Sequence, residues 1–220
     1  ENVMEGPEEI NWLWVAVKII AVIFLVGLNG FFVAAEFALV KVRETQLHPL
    51  LAKGHRRAKV AKHVVNNLDA FLSACQLGIT LASLALGWVG EPIFETLLEP
   101  VYHWLHIKSE TLRTSLSFAV GFSVITVLHI VIGEMAPKTM AIQKPLTTSL
   151  WVAYPMVWFY RATYPIVQAL NWSSLLMLKM IGIQAASESH DHHSEEEIRL
   201  LVETNQKRID RSKLGREIVT

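Results

Sequence analysis

Charge is scarce in this chain: Asp, Glu, Lys and Arg make up 18% of its 220 residues, against 52% hydrophobic. That balance excludes an ordinary soluble domain, in which about a quarter of the residues are charged. Cysteine is almost missing, and the single Cys75 lies in an apolar run. No disulfide can form within the chain, and the thiol reads as a small packing residue. No basic stretch precedes the first apolar run, since residues 6–11 are acidic or neutral, which excludes a cleavable secretory signal. A phosphate-binding glycine loop, a paired nucleophile and base, and a redox motif are all lacking, so the chain does not read as an enzyme.

What is present is a set of long runs without charge. The first lies between Lys18 and Glu36, with Trp12 and Trp14 placed to anchor at the headgroups. The second lies between Asp69 and Glu91, and the third covers residues 114–133 and closes on Glu134. Each is long enough to cross a bilayer. The expected spans are about residues 10–43, 68–92 and 112–138. Between the first two, Lys41, Arg43, Lys53, Arg56, Arg57, Lys59 and Lys62 face only Glu44. So basic a short loop marks the cytoplasmic side and puts the N-terminus outside; it reads as a topology determinant or a contact for anionic lipid, not for nucleic acid. The loop should be helical apart from a break near Pro49 and Gly54.

Residues 145–183 are apolar enough for a fourth span, but a fourth crossing would export a tail carrying Arg199, Lys207, Arg208, Arg211, Lys213 and Arg216. Pro155, Pro165 and Arg161 interrupt the segment, and Trp151, Tyr154, Trp158, Tyr160, Tyr164 and Trp172 favour the headgroup zone. The expectation is therefore a broken belt of helices on the cytoplasmic face. The fold class is all-α and integral to the membrane, with three transmembrane helices plus a cytoplasmic-side juxtamembrane helical belt.

The polar residues inside the runs are patterned. Asn29 and Glu36, seven apart, share one helix face to within about 20°. Ser73, Gln76, Thr80, Ser83, Gly87 and Gly90 recur every three or four residues, a stripe that serves either close helix packing or ion coordination. Gly87, Gly90 and Pro92 suggest a break near the outer end of that span. On the third span, Ser123, Ile130 and Glu134 fall near one face of a regular helix, with His129 off its edge and expected to be packed or hydrogen-bonded. Glu134, between Gly133 and Pro137, is the leading candidate for a functional carboxylate, the alternative being a surface pair with Lys138 four residues on.

Three stretches, NGFFVAAEFALVKVR, SACQLGITLASLALGWVGEP and HIVIGEMAPKTMAIQKP, resemble in order and spacing the signatures of the CNNM/CorC family of magnesium transporters, in its hemolysin-like bacterial branch. The resemblance covers about residues 10–181 and continues into an acidic helix. It implies a homodimer in the inner (plasma) membrane, whose three-span domain holds a magnesium site near the membrane middle, followed by a cytoplasmic pair of nucleotide-binding CBS modules. Those modules are not in this sequence, which stops at Thr220 and so reads as a piece of a longer protein. The domain expectation is a tail or tag remnant at 1–9, a CNNM-type transmembrane domain at 10–183, and a linker with the start of an acidic helical segment at 184–220.

Carried over by position, Glu134 of the Gly-Glu-x-x-Pro motif matches the family's acidic ligand. Asn29 stands where other branches have serine, and Ser83 where they have asparagine. Val33 replaces a second hydroxyl and Glu36 an asparagine, so the ligand set can differ. Bottom-up chemistry agrees with a hard cation, because magnesium takes oxygen ligands at about 2.0–2.1 Å and the runs hold no Cys and His cluster for zinc or copper. The candidate metal ligands are Glu134, Asn29, Ser83, Thr80, Gln76, Glu36 and Gly133, with structural roles for Pro137, Gly78, Gly87, Gly90 and Lys138. The expected function is magnesium export by alternating access, with sodium as a coupling ion implied by the family alone. Export of an organic dication such as a polyamine, and a membrane anchor or sensor that transports nothing, are the alternatives. In the tail, His190, Asp191, His192 and His193 read as a hydrophilic linker before a helix capped by Ser194 and Glu197, with Ile198, Leu201 and Val202 on its apolar side.

Overall fold

A computed structural model describes residues 12–182, with Glu91 and Pro92 in backbone only. The reading of the histidine-rich tail and its capped helix lies outside the described residues. By its contacts the chain divides into Glu1–Trp172 and Ser173–Thr220. The account below concerns the first unit; the described part of the second is the end of one helix and the turn at Gly182.

Helix α1 spans Trp12–Lys41, with no proline to interrupt it. Its buried stripe runs through Val15, Val22, Val26, Asn29 and Val33 at helical spacing, while Ile20, Ile23 and Phe24 face outward. The chain then turns through extended Arg43, whose N–H donates to Gln46 Oε1 at 3.1 Å and opens α2, Glu44–Ala52. Pro49 sits inside α2 instead of breaking it; the break comes at Gly54, where φ of 73° suits a residue without Cβ. Helix α3, Arg56–Val65, keeps its basic residues outside and buries Ala58, Ala61 and Val64.

Helix α4, Leu68–Trp104, is one continuous helix of 37 residues. The expected break at Gly87 to Pro92 is absent; the sequence read small residues as freed backbone, but Gly90 instead makes room for a neighbour, since a Cβ there would run into the Ile125 side chain. After the turn at Leu105 to Ser109, α5 spans Glu110–Leu128 and returns antiparallel to α4. Their ends are tied by Tyr102 Oη, which donates to the Arg113 carbonyl at 3.1 Å and lies 2.8 Å from Ser117 Oγ, and by Arg113 Nε, which donates to the Ile107 carbonyl at 2.6 Å. A Cβ at Gly121 would fall 2.8 Å from the Phe94 ring, so these helices also meet over glycine. The third span widens into a π-helical segment, His129–Met135, and ends as α6, Ala136–Gln143.

Helix α7, Pro145–Met180, runs unbroken through Pro155 and Pro165, where the sequence suggested interruptions. Its contacts stay at one level of the bundle. Trp151 meets Phe31, Met156 Sδ lies 4.0 Å from Cys75 Sγ, Phe159 meets Phe32, Tyr160 meets Phe71, and Ser73 Oγ donates to Asn171 Oδ1 at 2.8 Å. From Trp151 to Asn171 the helix advances about 30 Å, yet its partners remain between Phe31 and Phe32 on α1 and between Phe71 and Cys75 on α4. It therefore lies across the bundle. Packing continues to the basic loop, where Ala153, Leu146 and Leu150 join Val42, Leu47, Ala58 and Ala61.

Three helical segments, Trp12–Lys41, Leu68–Trp104 and Glu110–Gln143, are long and apolar enough to cross a membrane. Their outer faces carry Ile23, Phe24, Leu84, Trp88, Phe118, Phe122 and Val127 in the open, far more apolar surface than water tolerates on a soluble protein.

Candidate functional site

A polar crossing lies among these apolar walls. Proline 137 has no N–H, so in α-helical register it cannot bond the carbonyl four residues back, that of Gly133. The helix responds by widening: the Ala136 N–H reaches back five residues to the Val131 carbonyl. Asn29 supplies a donor from the neighbouring helix, its Nδ2 donating to the Gly133 carbonyl at 3.0 Å with the side chain only 1% exposed. Such an approach requires glycine on both helices. A Cβ at Gly30 would fall 2.9 Å from Pro137 Cγ, and one at Gly133 would fall 3.3 Å from Asn29 Nδ2 and 3.1 Å from His129 Cδ2. Ser83 of α4 completes the cluster: its Oγ donates to Asn29 Oδ1 at 3.3 Å and lies 3.3 Å from His129 Nε2. Beside it, Ser83, Thr126 and His129 form the polar end of a cavity of about 360 Å³ whose other walls include Leu86, Phe118, Phe122 and Ile125.

The structure thus brings together Asn29, Ser83 and Gly133 from the candidate ligands. Positions 29 and 83, where the resemblance implies exchanged residues in other branches, touch one another. Glu134 is adjacent to Gly133 in sequence but exposed. Among the described residues no hydrogen bond or ion pair engages it. Gln76 and Thr80 are exposed as well, Thr80 Oγ1 donating to the Gln76 carbonyl of its own helix at 2.8 Å. Glu36 is half-buried toward the other end of α1, within the field of Lys138. Lys138 sits with Nζ 4.5 Å from the centre of the Phe37 ring, a cation on an aromatic face instead of a partner for Glu134. Among the structural positions, Gly78 lies under Phe32, whose ring would be 2.6 Å from a Cβ, Gly87 is open and lines the cavity, and Gly90 meets Ile125.

Two residues of the cluster are absent from the candidate ligands. His129, expected to be packed or hydrogen-bonded, lies against Ser83 and stands four residues before Gly133, on the same helical face, while Ile130 and Glu134 are exposed. Gly30 carries no chemistry, and its role appears only when the second helix is in place. The signal in the sequence was Pro137 four residues after Gly133.

A bundle of three apolar spans, packed through glycines around a buried polar crossing, is a helical integral membrane domain. The profile of the Cyclin M transmembrane N-terminal domain matches residues 19–213, nearly the whole chain. The chain is 45% identical over 185 residues to the UPF0053 protein YugS of Bacillus subtilis, covering 84% of this chain and 43% of that protein. It is 44% identical over 191 residues to YrkA of the same organism, covering 87% and 44%, and 34% identical over 190 residues to sll0260 of Synechocystis, covering 86% and 42%. This chain belongs to the CNNM family and is its membrane domain. It spans less than half the length of these relatives.

Proposed function

We propose that this domain carries magnesium across the membrane, outward, by alternating exposure of an oxygen-ligand site built at the crossing of α1, α4 and the π-helical segment. One observation carries the reading: a buried carboxamide, a hydroxyl and a backbone carbonyl converge between spans, one residue from a carboxylate. Hard cations require oxygen donors of this kind, and irregular helix at membrane depth is tolerated where it lines a site. Asn29 Oδ1 and Ser83 Oγ are the neutral ligands in this reading, with Glu134 bringing charge when the π-helical segment turns it inward. Rotation of that segment is what alternates access, and sodium is the coupling ion. The domain works as a homodimer in the plasma membrane, N-terminus outside, with its regulatory modules following in the cytoplasm.

Glu134→Gln removes a ligand charge while keeping the side-chain shape. Calorimetric titration of the dimeric full-length protein with magnesium should show affinity reduced by about tenfold or more, equivalent to about 1.4 kcal/mol. Unchanged affinity in a folded dimer would reduce Glu134 to an interfacial acid.

A further inference from the structure

We propose that the cavity beside the crossing is a binding site for an uncharged amphiphile dissolved in the bilayer, a molecule with an apolar body of about a dozen non-hydrogen atoms and a single hydroxyl. The inference does not depend on which ion the domain carries. The cavity measures about 360 Å³. A protein cavity of about 150 Å³ takes benzene, so this one has room for roughly twice as many atoms. Gly87 on its wall keeps it open, since a Cβ there would meet no atom within 4 Å. Opposite, Phe118 and Phe122 stack with ring centres 5.8 Å apart, and both belong to the exposed face of α5, so a molecule in the bilayer can enter sideways. No charged side chain lines the cavity among the described residues, and an ion would give up its hydration there for nothing. The occupant is therefore neutral.

One group on the wall lacks a partner. Of the three polar side chains there, Ser83 and His129 already hold one another at 3.3 Å, and Ser83 also holds Asn29. Thr126 differs. Its hydroxyl has no hydrogen-bond partner among the described residues, whereas Thr80, Ser123 and Thr139 of the same spans each donate to the carbonyl four residues back, at 2.7 to 2.8 Å. Thr126 is half-buried, and lipid offers it nothing at that depth. Depth also selects the amphiphile. Ser83 and Thr126 stand within three residues of the middle of the charge-free runs 70–90 and 114–133. A phospholipid keeps its ester oxygens near the headgroups and brings only chain ends to the middle, so it can fill the cavity but cannot serve Thr126. A free alcohol does both: its hydroxyl donates to Thr126 Oγ1 or accepts from it, while its chain lies against Leu86, Ile125 and the two phenylalanines. Because Ser83 belongs to the cavity and to the crossing, the occupant sits against the crossing itself.

The test uses the full-length protein in lipid nanodiscs and a decanol carrying a photoreactive diazirine, with the labelled peptides read by mass spectrometry. Labelling should saturate and concentrate on the peptides that hold Leu86, Phe118 and Ile125. Plain 1-decanol should compete, and decane about fivefold less well, the worth of one hydrogen bond. Thr126→Val keeps the shape without the hydroxyl and should bring decanol down to the level of decane, while Thr126→Ser should restore the difference. Gly87→Leu grows into the open space and should abolish labelling; the Thr126 pair decides the matter even where Gly87→Leu fails to fold. Labelling that never saturates, or that falls equally on the exposed Phe24 and Trp88, is ordinary partitioning and overturns the proposal. Decane competing as well as decanol overturns it, and so does a Thr126→Val protein that still prefers the alcohol. A parent that takes no label overturns it too, and cross-linking of Phe118→Cys between two copies would then give the cavity to a second copy of this chain.

Discussion

At the scale of single residues, Asn29 has the heaviest structural duty. Its amide donates to the Gly133 carbonyl, which Pro137 cannot serve, and its oxygen holds the Ser83 hydroxyl. Asn29→Leu keeps roughly the volume and removes both buried bonds, so the domain should lose about 1–3 kcal/mol of stability. Thermal unfolding in detergent measures this, with Gln76→Leu on an exposed face as the control, expected within about 0.5 kcal/mol of the parent. An equal effect of the two substitutions would mean that the buried bond does not matter. The sequence marked Asn29 as a polar residue in an apolar helix, which is a strong signal because lipid gives a carboxamide no partner. It could not choose between a hydrogen-bonding duty and a ligand's, and in the structure both the amide nitrogen and the oxygen are engaged in hydrogen bonds.

Among the elements, the π-helical segment decides most. Pro137 lacks the N–H, Gly133 exposes its carbonyl, and Asn29 answers it, so the two side chains should be coupled. In a Pro137→Ala background the new N–H can serve Gly133, and Asn29→Ala should then cost about 1 kcal/mol less than in the parent. A double-mutant cycle read by thermal or denaturant unfolding gives that coupling, and strict additivity would contradict it. The same segment marks where reading from sequence stopped. Apolar runs marked three helices long enough to span because a charge-free stretch of that length has few other uses, but the expected break in α4 is absent: the helix continues to Trp104, and Gly90 serves packing with α5. His129 was expected to be packed or hydrogen-bonded and is found against Ser83, whereas Glu134, the leading candidate for a functional carboxylate, is exposed. Continuity of α7 through two prolines was also hidden, because the contacts from Phe31, Phe71 and Cys75 that hold it across the bundle lie far away in sequence.

For the whole molecule, the transverse course of α7 and its packing on the basic loop put both on one side of the bundle. The reading of that side as cytoplasmic predicts that a cysteine at Ser187, in a Cys75→Ala background, reacts with an impermeant thiol reagent only after cells are opened. Labelling of intact cells would mean an inverted tail and a fourth crossing. The exposed apolar faces of α4 and α5, with Trp88 84% exposed, fit burial against lipid. Transport is the central claim, and flux tests it most directly. Full-length protein in proteoliposomes, with magnesium loaded on one side and with sodium and a polyamine compared in separate runs, should move magnesium, faster with an opposing sodium gradient, and should lose that flux on Glu134→Gln. Liposomes that release a polyamine but hold magnesium, or that move neither while the protein remains a folded dimer, would contradict the account.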